Sequence, residues 1–509
     1  MSLLQDIPLS TDEMRVLELN AEYLGITHSM LMQNAGREVA RVISAKENVK
    51  GKNIVILCGM GGNGGDGIVA ARYLHEDGAH VEVYLLGSPK NITNSDTRAN
   101  WEILQNLHEI SSSVLKTESE VRGCGSISKA DVLVDAMMGF GLKSKLREPM
   151  LTATKMLNKS TAAIYAVDVP TGIDSDTGKI FGVCVKADHT IALHAPKSGS
   201  LIASDVTGTI HVVSIGIPAE TNRICGPGDV RLLTPPREKS THKGDYGKIL
   251  VVGGSDVFSG APALTGMAAL RTGADLVSIL APDPVVSAIR SYSPNLMVSN
   301  LGTRILTRES KDAVIEAAIG QDAVALGPGL GLDDETGYSV REIIAELMKS
   351  KTPLVIDADG LKALAGSGMT LDPNQTVLTP HWGELGILLE KKLGNSKDNK
   401  NRLEQTLEAA TKFNAIVLLK GAVDIVAHPD GRYKLNRTGV PAMSVGGTGD
   451  VLTGIVAALI VRGHGAFSTA AASAFISGRA GEAAFNLKGD HIVATDCIEQ
   501  IPAAMEWKR

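Results

Sequence analysis

Over the first fifty residues the apolar positions recur at helical spacing. Ser10 and Glu13 are spaced as a capping box, which predicts a helix over 14–23. Thr27 stands where a second helix would be capped, with Leu31, Ala35, Val39, Val42 and Ile43 on one face. From Asn53 the period changes. Short continuous apolar runs at Asn53–Cys58, 81–86, 131–135, 162–168 and 188–193 predict strands buried on both faces, the first followed by a glycine loop and a helix from 68 to about 75. Strands alternating with helical stretches predict a parallel sheet covered by helices. A second series begins at Lys248–Val252 and continues at 276–280, 322–326, 354–357 and 415–420, with a β-hairpin over 425–435 around Pro429-Asp-Gly431. Between the two series, 217–243 is rich in Pro, Gly and charge. The domain boundary is expected there, giving domains 1–220 and 221–509.

Composition changes this picture at a few points. A chain of 509 residues is expected to form more than one hydrophobic core. Its 54 glycines cluster at the ends of apolar runs, where an α/β fold lets backbone approach a ligand closely. A formal charge of −6 offers no basic footprint, so a dedicated nucleic-acid binder is excluded from the expectation. Cys58, Cys124, Cys184, Cys225 and Cys497 have no metal-ligand spacing and read as reduced, buried thiols. The opening MSLLQDIPLS lacks the features of a secretory leader, and no apolar run reaches the ~18 residues of a membrane span. A cytoplasmic protein without a membrane partner is expected.

The first candidate site starts at Gly59-Met-Gly-Gly-Asn-Gly-Gly-Asp-Gly67, between a strand and its helix. Backbone N–H groups in such a loop attract phosphate. The spacing is neither that of the dinucleotide fingerprint nor that of a P-loop, and a plain tight turn is the competing reading. Asn63 and Asp66 inside it favour function. Two further strands run into Asp135-Ala-Met-Met-Gly139-Phe-Gly141 and Asp168-Val-Pro-Thr171-Gly-Ile-Asp174. Carboxylates at the carboxyl ends of parallel strands sit where open sheets bind ligands, although each alone could be a helix cap or a turn.

These three loops, in this order over roughly residues 10–216, resemble the NAD(P)H-hydrate epimerase domain. The resemblance implies a Rossmann-like three-layer αβα domain. It implies contacts to the hydrated nucleotide from Gly62, Asn63, Gly64, Gly65, Asp66, Gly139, Phe140, Gly141 and Asp168, and a potassium ion held by Asn63, Asp135 and Thr171. Asp168 would be catalytic, moving a proton as the hydroxylated ring carbon inverts with help from the ring nitrogen. Gly62 stands where the family usually has Asn, and Thr171 where it often has Ser, which retains a hydroxyl.

The second candidate site is Gly446-Gly-Thr-Gly-Asp450-Val-Leu-Thr-Gly, a glycine loop running into an apolar helix. Unpaired N–H groups there can hold a transferring phosphate, and Asp450 can take a proton from an attacking hydroxyl, unless it simply caps the helix. This order is similar to that of ribokinase-like phosphoryl-transfer enzymes. Over roughly 230–509 the stretches His242–Ser255, Gly260-Ala-Pro262, Gly327-Pro-Gly-Leu-Gly331, Asp357-Ala-Asp359, Thr379-Pro-His381-Trp-Gly-Glu384 and Leu419-Lys-Gly-Ala422 together resemble the ADP/ATP-dependent NAD(P)H-hydrate dehydratase. That resemblance implies a ribokinase-like αβα domain with hydrate contacts at Ala261, Gly329, His381 and Asp450. It places the nucleotide at Lys420, Gly421, Ala422, Val423, Asp424 and Gly449, with Mg²⁺ on its phosphates. His381 as a satisfied loop histidine and Lys420 as a solvated surface lysine remain the competing readings. Trp382 and Val440 depart from the family pattern, which often has Pro and Asn there.

The joint expectation is a bifunctional repair enzyme acting on NADH and NADPH hydrates, with K⁺ in the first domain, Mg²⁺ with ADP or ATP in the second, and assembly as a homo-oligomer. Its rival is a kinase of a small hydroxylated metabolite carrying a non-catalytic N-terminal binding domain. ADP against ATP is left open, with a leaning to ADP.

Overall fold

The structure is a computed structural model that describes residues 7–142 and 144–506. The first six residues, part of the leader reading, lie outside them. The chain divides into two compact units, Met1–Thr221 and Asn222–Arg509.

The first unit is built on seven strands: β1 (Asn53–Cys58), β2 (His80–Leu86), β3 (Ser111–Leu115), β4 (Val132–Ala136), β5 (Ala163–Val167), β6 (His189–Leu193) and β7 (Thr209–Val213). They pair in the order β3-β2-β1-β4-β5-β6-β7, all parallel. Alternate side chains go to opposite faces, as the period of two in a strand requires. Ile54, Ile56 and Cys58 join one core with Leu31, Val39 and Ile43. Val55 and Leu57 join another with Val121, Ile127 and Leu157. Both faces are therefore covered by helices, giving the expected three layers. The direction of winding reverses between β1 and β4, and open sheets of this kind bind ligands in the crevice at that point.

The second unit carries nine strands: β8 (Lys248–Val252), β9 (Leu276–Ala281), β10 (Met297–Asn300), β11 (Ala323–Leu326), β12 (Leu354–Ile356), β13 (Thr376–Leu378), β14 (Ile416–Leu419), β15 (Asp424–Ala427) and β16 (Tyr433–Asn436). Their order is β10-β9-β8-β11-β12-β13-β14-β15-β16. All pairs are parallel up to β14, and the predicted hairpin, β15 and β16, closes the edge antiparallel. Ile249 and Val251 face a core with Ile455 and Phe475, while Leu250 and Val252 face one with Ile343 and Leu385. The same three-layer logic holds. Among the described residues no helix is long and apolar enough to cross a membrane.

One expectation fails at the first glycine run. The helix starts at Gly62, not near Ile68, and extends to Glu76. Glycines read as a loop by intrinsic propensity, but tertiary packing overrides that here. A methyl group on Gly64 would lie 1.9 Å from the Gly59 carbonyl oxygen, so only glycine lets the first helical turn close onto the strand end. Ser10 caps the first helix as expected, although that helix begins at Thr11.

The helices Gly260–Thr272 and Thr448–Ile460 cross at similarly close range. A methyl group on Gly454 would lie 2.2 Å from the Thr265 carbonyl oxygen and 2.7 Å from Ala268 Cβ. Overpacking of this type costs about 1–3 kcal/mol. Gly454→Ala should therefore lower the thermal midpoint of the second unit by several degrees in a calorimetric scan; an unchanged midpoint would contradict this packing.

Candidate active sites

In the first unit three loops meet at the carboxyl ends of β1, β4 and β5. The 59–61 loop after β1 leads into the helix at Gly62. A methyl group on Gly139 would lie 3.3 Å from Asn63 Oδ1, so the Asn63 amide rests against the loop after β4. Its nitrogen is buried and has no partner. Asp135, fully buried at the end of β4, accepts from the Thr171 hydroxyl (2.7 Å), the Thr171 backbone N–H (2.8 Å) and the Met137 N–H (3.2 Å). Burial raises its pKa to about 6 against the lowering effect of these hydrogen bonds. Asp135 thus does the turn-holding work that was its alternative reading, and it does so with Thr171, a predicted partner.

Asp168, at the end of β5, is also buried. Its backbone is left-handed (φ 64°), and the N–H of Val169 bonds back to the Val167 carbonyl. The adjacent β6 ends the same way: His194 has φ 67° and the Ala195 N–H bonds to Leu193 O. Such turns are strained for non-glycine residues and persist where surroundings hold them. Here Lys197 does the holding. Its ammonium, almost wholly buried, pairs with Asp168 Oδ1 and donates to Leu193 O (2.9 Å) and Ala195 O (3.3 Å). The Leu193 N–H donates to the same Asp168 oxygen (3.1 Å).

Two further charged groups reach this place from the helix Thr11–Tyr23. Arg15 and Lys197 each lie 5.9 Å from the centre of the Phe140 ring. Glu18, one turn beyond Arg15, has its pKa raised to about 7, mainly by burial, with Lys197 opposing and Asp168 reinforcing the rise. Asp66 is pushed well above the carboxylate range by burial and by the charges of Asp168 and Glu18. Three carboxylates therefore surround one lysine. Lys197, Glu18 and Arg15 were not among the residues singled out in the sequence. The short interval from His194-Ala-Pro to Lys197, directly after a strand, was the available signal.

In the second unit the loops after β8, β11, β12, β13 and β14 leave the same edge of the sheet. The Gly254 N–H bonds to the Pro328 carbonyl (2.8 Å), which joins the loops after β8 and β11. A methyl group on Gly329 would lie 3.4 Å from Ala261 Cβ and 3.0 Å from Phe258 Cβ, so the predicted pair Ala261 and Gly329 is brought together. After β12, Ala358 is left-handed (φ 49°) between Asp357 and Asp359. Lys420, at the end of β14, donates to Asp357 Oδ1 (2.8 Å), and Thr453 donates to Asp357 Oδ2 (2.7 Å). Glu384 lies 3.9 Å from the same ammonium. Burial opposes the lysine's charge, but Asp357 and Glu384 outweigh it and raise its pKa. Lys420 is thus no solvated surface lysine.

A methyl group on Gly449 would lie 3.2 Å from Lys420 Nζ, so that ammonium sits against the first turn of the helix Thr448–Ile460. Asp450 occupies that turn. It is not the cap, which is Gly447 without a side-chain bond. Burial first, then Asp357, raises the Asp450 pKa to about 7, with Lys420 pulling it down and Glu384 and Asp359 pushing up. A carboxyl poised near neutrality suits a general base. His381 caps the helix Trp382–Leu388, its Nδ1 accepting from the Gly383 and Glu384 N–H groups (3.0 and 3.2 Å). Its ring is largely exposed, with Nε2 3.5 Å from Glu384 Oε1.

Within 420–424 the chain divides. Gly421 and Ala422 are exposed. Asp424 turns inward to accept from the Gly421 N–H and Asn436 Nδ2 (both 2.9 Å), and burial raises its pKa to about 6. Of the two departures, the Trp382 indole donates to Gly394 O (3.3 Å), and Val440 packs beside Ala484 and Ile492.

The family described as NAD(P)H-hydrate dehydratase matches residues 249–503, and that described as YjeF-related protein N-terminus matches 28–199. A bifunctional NAD(P)H-hydrate repair enzyme Nnr of Hyperthermus butylicus is 40% identical over 98% of this chain and 92% of its own. One of Methanothermobacter thermautotrophicus is 38% identical over 99% and 96%. A solved structure, of an ADP/ATP-dependent NAD(P)H-hydrate dehydratase from Bacillus subtilis co-crystallised with ATP/Mg²⁺, is 26% identical, covers 56% of this chain and 99% of its own, and has a TM-score of 0.48.

The charges around Asp450 set the direction of its response to substitution. Its carboxyl should titrate near 7 in a ¹³C-aspartate NMR titration. Removing the cation in Lys420→Met should move the midpoint up, and removing a neighbouring anion in Asp357→Asn should move it down. Shifts of the opposite sign would contradict the geometry.

Proposed function

The chain belongs to the bifunctional NAD(P)H-hydrate repair enzymes, and from that premise we propose that residues 1–220 interconvert the epimers of NADH and NADPH hydrates while residues 221–509 dehydrate one epimer at the expense of ADP or ATP. The observation that carries the second activity is Asp450, a carboxyl near neutrality beside a largely buried lysine at a glycine-rich helix start. Asp450 takes the proton of the hydrate hydroxyl, whose oxygen attacks the terminal phosphoryl group. The unpaired N–H groups of the helix start, Gly449 among them, and Lys420 face the charge that develops on the phosphoryl oxygens. The phosphate ester then leaves as phosphate, expelled by the ring nitrogen lone pair, and loss of a proton from the neighbouring ring carbon returns the electron pair to nitrogen and restores the reduced nicotinamide. Ala261, Gly329 and the exposed ring of His381 are the contacts assigned to the hydrate, and Lys420, Gly421, Ala422, Val423 and Gly449 those assigned to the nucleotide. Asp424 supports the 420–424 loop from beneath.

Asp357, Glu384 and Asp450 act electrostatically on Lys420, and Asp359, paired with Lys362 (2.8 Å), adds to the negative field at Asp450. That negative charge suits a divalent cation carried by the nucleotide phosphates, which Asp357 and Asp359 would hold by exchanging their present partners, Lys420 and Thr453 for the one and Lys362 and the Gly331 N–H for the other. Mg²⁺ bound there would neutralise phosphate charge. In the first domain the Asp135 carboxylate and the Thr171 hydroxyl, now bonded to each other, would with the Asn63 amide, its buried nitrogen without a partner and the group turned to present its oxygen, make an all-oxygen donor set. That set fits a monovalent cation such as K⁺, which would supply positive charge near the nucleotide phosphates. Gly62, Gly64, Gly65 and Asp66 at the helix start, with Gly139, Phe140 and Gly141, line the crevice assigned to the hydrated nucleotide. Asp168, paired with Lys197, is assigned as its proton acceptor.

The test is recovery of reduced-nicotinamide absorbance from mixed NADH-hydrate epimers with ADP or ATP, Mg²⁺ and K⁺. Wild type should convert both epimers fully. Asp450→Ala should lose at least about 100-fold in rate, the scale of a general base. Asp168→Ala should convert one epimer quickly and stall at the other. A stable phosphorylated product without absorbance recovery would instead establish the kinase reading.

A further inference from the structure

The base assigned to epimer interconversion accounts for only one of the two proton movements that the chemistry needs. Expelling the ring hydroxyl requires a proton donor, and adding water to the opposite face requires an acceptor. Asp168, bound to Lys197, suits the acceptor. The donor must reach the same locus from another direction. The helix Thr11–Tyr23 offers it. Arg15 and Glu18 are spaced i, i+3 and share a face of that helix. Arg15 lies over the Phe140 ring, the ring that Lys197 also approaches. A methyl group on Gly141 would lie 3.6 Å from Arg15 Nη2, so this helix face meets the loop after β4. Glu18 interacts electrostatically with both Lys197 and Asp168. Arg15 stays half-exposed and also pairs with Asp12 (3.4 Å), whereas Glu18, three residues on, is partly buried on the side of the sheet edge.

The charge balance gives Glu18 its protonation state. Glu18, Asp66 and Asp168 converge on Lys197, with Arg15 at the margin. His194, the remaining titratable neighbour, is pushed by burial and by Lys197 towards its neutral form. Carboxylates that crowd one cation share protons among themselves. Asp168 has Lys197 in direct contact, while burial favours the protonated forms of Glu18 and Asp66. Of these, Asp66 is the more deeply enclosed and Glu18 the more accessible.

Resting on the isomerase reading of the first domain, we propose that Glu18 is a second catalytic residue of that site, the proton donor that works against Asp168. The Glu18 carboxyl protonates the ring hydroxyl, the carbon–oxygen bond breaks, and water departs as the ring nitrogen lone pair forms a carbon–nitrogen double bond. A water molecule then adds to the opposite face of the same carbon, its oxygen bonding there as its proton passes to the Asp168 carboxylate and the electron pair returns to nitrogen. The net result is inversion, with one proton moved from Glu18 to Asp168. The enzyme left with Glu18 ionised and Asp168 protonated is the form that acts on the other epimer.

The experiment follows the full-length chain with a single purified NADH-hydrate epimer in H₂¹⁸O, without nucleotide. It measures interconversion by chromatography and ¹⁸O entry into the hydrate by mass spectrometry. Wild type should interconvert the epimers and incorporate ¹⁸O. Glu18→Gln, which keeps size and shape, should slow both by about 100-fold, while Glu18→Asp, which keeps the acid, should retain a measurably higher rate than Glu18→Gln. Thermal scans identify any variant that has merely lost its fold. Glu18→Gln within about threefold of wild type, or Glu18→Asp as slow as Glu18→Gln in chains with wild-type melting, would overturn the proposal. A wild type that interconverts nothing would overturn the isomerase reading itself, which is a distinct result.

Discussion

Everything else in these two sites depends on a lysine, wholly buried in the first and largely so in the second, paired with a carboxylate at the end of a parallel strand. In the first unit the pair is Lys197 with Asp168, and in the second it is Lys420 with Asp357. Removing an ion from water costs several kcal/mol, and a buried pair left with one partner loses about 3–5 kcal/mol. Each pair must therefore be complete, and its loops must hold whatever backbone geometry completes it. Left-handed non-glycine residues are held at both places: Asp168 and His194 beside Lys197, and Ala358 next to Asp357. The same pairs govern the reactive groups around them. Lys420 restrains the pKa of Asp450, while Asp357 raises it. Lys197 restrains Glu18 in the same manner.

The glycines play a different part. Gly64 lets a helix begin directly against a strand end, and Gly449 lets a lysine ammonium press against a helix start. In both units this brings unpaired N–H groups up to charged side chains, the combination that phosphate-bearing ligands need. Electrostatics and close backbone approach are thus supplied by separate residues within each site.

Much of this was legible in the chain itself. Strands buried on both faces, such as Asn53–Cys58 and Lys248–Val252, announce themselves as continuous apolar runs. The edge strands do not: Ser111–Leu115 is mostly polar, and Met297–Asn300 buries a single side chain. Strand Thr376–Leu378 is too short to show a period. The helix start at Gly62 was hidden because local propensity opposed it and only tertiary packing favoured it. Asp168, Asp450 and Lys420 could be found because each adjoins a glycine-rich or strand-end motif. Glu18 could not, since a glutamate on a capped amphipathic helix looks like surface until the helix is seen to face the sheet edge.

The central claim is that two separate sites on one chain perform successive steps on the same nucleotide. It is tested most directly by mixing two crippled chains. Asp168→Ala and Asp450→Ala proteins, each unable alone to restore reduced nicotinamide rapidly from both hydrate epimers, should together in one cuvette restore full absorbance recovery with ADP or ATP. Failure of the mixture to exceed the Asp168→Ala protein alone would contradict the account.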